Sequence, residues 1–193
     1  MKHIIIEGTD RTGKDTLITS IKDHFKDHNI TVRHFGKPKN PPNVTALEFQ
    51  RICFRKEGTL LAVLSSFEED VYSYFENVLI WNRSHIGEYV YGHMFRNEPL
   101  DKLLNFILIY EQTFINPRHT YYIQLEADPQ FALDREDGNS FSQTLEEKKR
   151  EMELFLEAYH FSSIDKKMLV KVDDGMGNFR NKNDIFDQIK DFI

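Results

Sequence analysis

The sequence predicts a three-layer α/β sandwich built around a five-stranded parallel sheet. Three observations carry this. Short runs rich in Ile, Val and Leu alternate with longer stretches of helical periodicity. One of those runs, Val78-Leu79-Ile80-Trp81, is apolar at every position, as a strand covered on both faces must be. A glycine-containing segment ending in Gly13-Lys14 joins the first such run to the first helical stretch.

The elements follow in order. Residues 3–6 form a strand that stops at Glu7-Gly8. From Lys14 to His28, the residues Leu17, Ile18, Ile21 and Phe25 share one helical stripe. Residues 30–35 read as a second strand, ended by Gly36 and Pro38, and Pro41-Pro42 delay any return to regular structure. Helices are predicted over 44–57 and 59–76, separated by Gly58, then a third strand over 78–81. Helical patterns recur at 85–96 and 100–114. The second has Leu100, Leu103, Leu104, Phe106, Ile107, Leu108 and Tyr110 around nearly its whole circumference, so it is central or an interface. A fourth strand covers 119–125, and Asp128-Pro129 starts a helix. Residues 134–144 are polar and form a loop. A charged amphipathic helix spans 145–159, a fifth strand 168–172, and a last helix 183–192.

At 193 residues the chain suits one core, so the expectation is a single domain over 1–193. Its 40 % hydrophobic and 29 % charged residues are those of a soluble globular protein. No stretch approaches the roughly 18 apolar residues of a membrane span, and the run at Ile4–Ile6 is too short for a signal peptide. Cys53 is the only cysteine, which excludes an internal disulfide and a cysteine-built metal site. These features point to the cytoplasm. The net charge of −6, with Lys and Arg dispersed, argues against a nucleic-acid polymer as partner, whereas a nucleotide needs only a local group of cations.

Such a group exists. Gly8-Thr9-Asp10-Arg11-Thr12-Gly13-Lys14 fills the first seven positions of the phosphate-loop pattern G-x-x-x-x-G-K-[ST]. Its glycines let successive backbone N–H groups turn toward phosphate oxygens. The lysine reaches the β and γ phosphates, and the following helix adds its positive end. The strand before and the helix after are both predicted, so ATP is expected on residues 8–16 in a P-loop fold. The eighth position, normally Ser or Thr on Mg²⁺, is Asp15, with Thr16 next. Either the Asp15 carboxylate binds the metal directly, or Thr16 and water substitute.

After the third strand comes Asn82-Arg83-Ser84-His85-Ile86-Gly87-Glu88-Tyr89-Val90-Tyr91. Together with Glu7–Thr16, this segment resembles the thymidylate kinase family and, more loosely, the deoxynucleoside kinases. Leu125, Pro129, Ala132 and Arg135 resemble the family's strand, helix and start of the lid, and Tyr159 its aromatic after the lid. The resemblance implies the nucleoside monophosphate kinase topology, with ATP and Mg²⁺ phosphorylating a thymidylate-like (deoxy)nucleoside monophosphate, and a place in nucleotide biosynthesis. Lys14, Arg11, Arg83 and Arg135 would be catalytic. Arg83 would hold the acceptor phosphate, Arg11 would stabilise the transferred group, and Arg135 would belong to a short lid at 134–144. His85, Glu88, Tyr89 and Tyr91 would join Arg83 around the acceptor. The resemblance and the apolar helix at 100–114 also suggest a homodimer.

Two departures stand out. The family's Asp before the arginine is Asn82, so with an acidic Asp15 the carboxylate would have moved across the metal, Asn82 acting through water. The thymine-reading arginine expected before the third strand is missing from 59–76. Glu68, Glu69, Asp70 and Tyr72 are candidates to read another base, and Arg51 and Arg55 on the preceding helix are candidates to replace the cation. A deoxynucleoside kinase remains an alternative, with Glu7 as its base, as does a silent nucleotide-binding module. The run Glu146–Glu151 reads as a solvated helix face.

Overall fold

The structure, a computed structural model, describes residues 2–35, 55–56, 77–115 and 118–193. The predicted helices over 44–57 and 59–76 lie outside these, apart from Arg55 and Lys56, which are helical. So do Arg51, Glu68, Glu69, Asp70 and Tyr72.

Five strands form one parallel sheet: β1 (Lys2–Glu7), β2 (Asn29–His34), β3 (Asn77–Asn82), β4 (Thr120–Glu126) and β5 (Lys167–Lys171), in the order β2-β3-β1-β4-β5. Six helices accompany them among the described residues: α1 (Lys14–His24), α2 (Ile86–Arg96), α3 (Leu100–Phe114), α4 (Pro129–Leu133), α5 (Leu145–Phe161) and α6 (Lys182–Ile189). The first helix, expected to reach His28, stops four residues earlier. Residues 25–28 turn instead, with the His28 amide donating to the Phe25 carbonyl at 2.8 Å.

The alternation of strand side chains makes two cores. Ile4, Ile6, Val78, Ile80, Ile123 and Leu125 point to one face and pack with Leu17 and Ile21 of α1 and Ile185 and Ile189 of α6. Ile5, Leu79, Trp81 and Tyr122 point to the other and meet Val90 of α2, Leu103 and Ile107 of α3, and Leu154 and Phe155 of α5. Each fully buried Ile adds roughly 2 kcal/mol. On α3 the buried side is Leu103, Ile107, Tyr110 and Glu111, while Ile109 is 64 % exposed, so the helix is sided rather than central.

Local chemistry sets the helix starts. Asp128 caps α4 by accepting from the amides of Gln130 and Phe131, with Pro129 at its first position. Thr144 and Glu147 form a reciprocal capping box on α5. The chain leaves β1 toward α1 on one face and leaves β3 toward α2 on the other. Because the exits of these neighbouring strands diverge, a crevice opens at their carboxyl ends, the place where open α/β sheets bind ligands.

Candidate active site

Gly8 follows β1 with φ 141°, and a Cβ there would lie 2.6 Å from the Leu125 carbonyl oxygen of β4. Only glycine lets the loop leave the sheet so close to its neighbour. Gly13, at φ 82°, caps α1 in the left-handed conformation. Between them Thr12 Oγ1 donates to the Thr9 carbonyl at 2.8 Å. Lys14 is buried and folds back over this loop, its Nζ donating to the carbonyls of Gly8 at 2.7 Å and Thr9 at 2.6 Å. Burial, with the nearby Arg83 charge second, pushes its ammonium down to about 8.

The end of β3 closes the crevice. The Arg83 amide donates to the Ile6 carbonyl at 3.0 Å, tying the turn to β1. Arg11 and Arg83 are both left-handed, with φ of 70° and 68°. For a non-glycine residue this costs about 1–2 kcal/mol, and such strain gathers where function holds it. Arg83 pairs with Asp10, and its guanidinium carbon is 5.9 Å from the Tyr91 ring centroid. Arg11 pairs with Asp137, and that bond holds the Asp137 carboxyl down at about 2. Asn82 Nδ2 donates to Asp15 Oδ1 at 2.7 Å.

These groups share one cleft of about 370 Å³, lined by Arg11, Lys14, Asp15, Asn82 and Arg83, with Asn139 and Ser140 of the 134–144 segment on its far side. Against the other side of the loop lies an apolar cavity of about 200 Å³, lined by Gly13, Leu17, Leu125, Val172, Phe179 and Ile185.

No protein-family model matches the chain, and no curated protein matches either. Solved structures do. The YorR protein of Bacillus subtilis, in complex with phosphorylated GDP, is similar over 98 % of this chain and 94 % of its own, with a TM-score of 0.60 and 18 % identity. Thymidylate kinase from Candida albicans is similar over 100 % and 90 %, with a TM-score of 0.63 and 14 % identity. Thymidylate kinase from Ehrlichia chaffeensis is similar over 98 % and 97 %, with a TM-score of 0.60 and 9 % identity. This chain has the thymidylate kinase-like P-loop fold.

Within this thymidylate kinase-like fold, the residues singled out in the sequence separate into those the cleft gathers and those it does not. Arg11, Lys14, Asp15, Thr16, Asn82 and Arg83 come together, and Tyr91 stands beside Arg83 with its hydroxyl donating to Glu151 at 2.8 Å. Arg135 stands elsewhere. Its guanidinium carbon lies 3.7 Å from the Phe131 ring centroid and 5.2 Å from that of Phe179, and it donates to the carbonyls of Phe131 and Gly177. That position is on the side of the apolar cavity that Phe179 lines. His85 is fully buried, 3.1 Å from Glu111 and packed on Tyr110. Glu88 is buried and accepts from Arg96 at 2.7 Å, and the Tyr89 hydroxyl donates to Glu157 at 3.1 Å. None of these three lines the cleft.

Several residues at or near the cleft carry no mark in the sequence. His34, at the end of β2, lines the cleft, and nothing in its local pattern singles it out. Lys148 and Glu151 belong to the charged run expected to face solvent, yet both are buried. Lys148 Nζ donates to Glu136 Oε2 at 2.8 Å, and Glu136 Oε1 accepts from the amides of Asp137, Gly138 and Ser140. A buried lysine thus fixes the loop that lies over the cleft.

Proposed function

We propose that the chain is an ATP-dependent kinase that phosphorylates a thymidylate-like (deoxy)nucleoside monophosphate to its diphosphate. The observation that carries this is the convergence of Lys14, Arg11 and Arg83 on one cleft, the two arginines held in left-handed backbone. A phosphoryl donor needs the loop and its lysine, and an acceptor that already carries a phosphate needs a second cation on the opposite wall.

The backbone amides of 8–16 hold the donor's phosphates, and Lys14 swings from the Gly8 and Thr9 carbonyls onto them. Arg83 exchanges Asp10 for the acceptor phosphate. Arg11 leaves Asp137 and stabilises charge on the group in flight. The 134–144 segment acts as lid and keeps water out, which suppresses hydrolysis. The apolar cavity beside Phe179 suits the donor's base, with Arg135 stacked at that end. Asp15, Thr16 and Asn82 are the cleft residues that would hold a Mg²⁺ ion brought with ATP, and such an ion would supply shielding of the phosphate charges. The chemistry is positioning and charge neutralisation, with no protein nucleophile.

A kinase acting on nucleosides would need a carboxylate base in the cleft. Glu7, the carboxylate the sequence offers for that role, is fully buried with Ser84 Oγ donating to it at 2.7 Å and does not line the cleft. The Asp10 and Asp15 carboxylates that do are taken up by Arg83 and Asn82. The test is a panel of nucleoside monophosphates and the matching nucleosides with ATP and Mg²⁺, read by ADP release and product analysis. Diphosphates from one or more monophosphates are expected. Products only from nucleosides, or tight ATP binding with no product from any acceptor, would end this reading.

A further inference from the structure

The two departures from the family's motifs meet. Asp15 and Asn82 lie 67 residues apart in sequence and are joined by the 2.7 Å bond from Asn82 Nδ2 to Asp15 Oδ1. An ionised carboxylate only accepts, so the amide nitrogen faces it and the amide oxygen faces elsewhere. That oxygen is buried without a hydrogen-bond partner, in a residue that is 3 % exposed and lines the cleft. A buried acceptor left unpaired is unfavourable, and the approach of a cation or its water relieves it.

The charges around the cleft point the same way. Among the described residues, Arg11, Lys14 and Arg83 bring three positive charges, and Asp10, Asp15 and Asp137 bring three negative ones. Both arginines already hold a carboxylate. A bare nucleoside triphosphate, itself multiply anionic, therefore meets no formal excess of positive charge from these described residues, and it meets a carboxylate on the second residue of α1, at the helix end that would otherwise welcome it. A divalent cation reverses that balance. Mg²⁺ is commonly held by one or two carboxylates together with substrate phosphates, and one carboxylate steadied by one amide fits that requirement.

We propose that Asp15 makes this phosphate loop metal-gated: nucleotide enters with a divalent cation seated on the Asp15 carboxylate, Asn82 holds that carboxylate in place, and metal-free nucleotide is turned away. The proposal rests on the nucleotide-binding reading above. By linkage, the factor by which the cation tightens nucleotide is the factor by which nucleotide tightens the cation.

The test measures equilibrium binding of a fluorescent ATP analogue in excess Mg²⁺ and in EDTA, with no acceptor present. The native chain, Asp15→Asn, Asp15→Ser, Asn82→Asp and the double variant Asp15→Ser/Asn82→Asp are compared. The native chain should lose about 100-fold in affinity without metal, within the usual range of coupling between two ligands. Asp15→Asn, which keeps the shape, and Asp15→Ser should each lower that ratio to about tenfold, with metal-free affinity rising. Asn82→Asp alone should weaken metal-free binding further, and the double variant should restore a ratio near the native one. A pair that merely stiffens the loop would weaken binding equally in both conditions and leave the ratio unchanged, which overturns the proposal. Equal native binding in Mg²⁺ and EDTA also overturns it. Failure of the native chain to bind in either condition would instead remove the phosphate-loop reading itself.

Discussion

Replacing Glu7 by Gln should raise stability at neutral and alkaline pH and leave it nearly unchanged in acid. Glu7 ends β1 with no exposed surface; Ser84 donates to one carboxylate oxygen and the other has no partner. Burial, opposed by the Ser84 bond and by the charges of Lys14 and Arg83, pushes its carboxyl from the usual 4.5 up to about 7. The folded chain therefore keeps this proton to higher pH than the unfolded chain does. Stability from this source is complete below about pH 4.5 and is lost as the pH climbs to about 7. A tenfold difference in proton affinity between the folded and unfolded chain is worth about 1.4 kcal/mol, so the loss amounts to roughly 3 kcal/mol at most. Gln cannot ionise and still accepts from Ser84, so it should remove the fall while preserving the packing. The assay is urea unfolding between about pH 4.5 and pH 8.5, followed through Trp81, the only tryptophan and fully buried. Curves of native and Glu7→Gln chains that run parallel would refute the reasoning, since the ionisation would then cost nothing.

Further outcomes follow from the loop. Gly8→Ala puts a Cβ 2.6 Å from a β4 backbone oxygen at a φ that L residues avoid, so unfolding free energy should drop by roughly 2–4 kcal/mol; a change under about 0.5 kcal/mol in urea titration would contradict the clash. Lys14→Met should abolish phosphoryl transfer and also cost some stability, because two loop carbonyls lose their donor; activity kept within about tenfold, a matter of ~1.4 kcal/mol, would sink the phosphate-loop assignment. Arg11→Ala should lower kcat by roughly 10³-fold with a much smaller effect on ATP affinity. A raised KM with normal kcat would show that Arg11 only binds.

The sheet was legible because its code is local. Ile4–Ile6 and Val78–Trp81 announce buried strands by composition alone, and the five strands observed lie within a residue or two of those predicted. The loop from Gly8 to Lys14 was legible for a similar reason, since two glycines and a lysine at fixed spacing between strand and helix leave few alternatives. Proximity in sequence misled at His85. The left-handed Arg83 redirects the chain, so that two residues later the ring lies under Tyr110 and against Glu111 rather than in the cleft. Lys148 and Glu151 escape notice because their partners, Glu136 and Tyr91, sit 12 and 60 residues away, and a charged run carries no mark of a distant partner. Arg135 illustrates a third limit. Its position after α4 was clear, but the Phe179 ring that it faces comes from the turn after β5.

The left-handed backbone at Arg11 and Arg83 has a consequence for anyone redesigning this chain. At both positions the conformation suits glycine, and an arginine there gives up about 1 kcal/mol or more of conformational preference. A search that rewards only thermal robustness would drift toward glycine at each, smoothing the backbone while stripping the cleft of both arginines. The variants that melted highest would then be those with the least chemistry left. Sequences chosen for function must be scored with these two side chains held fixed, because the backbone conformation at both positions favours glycine.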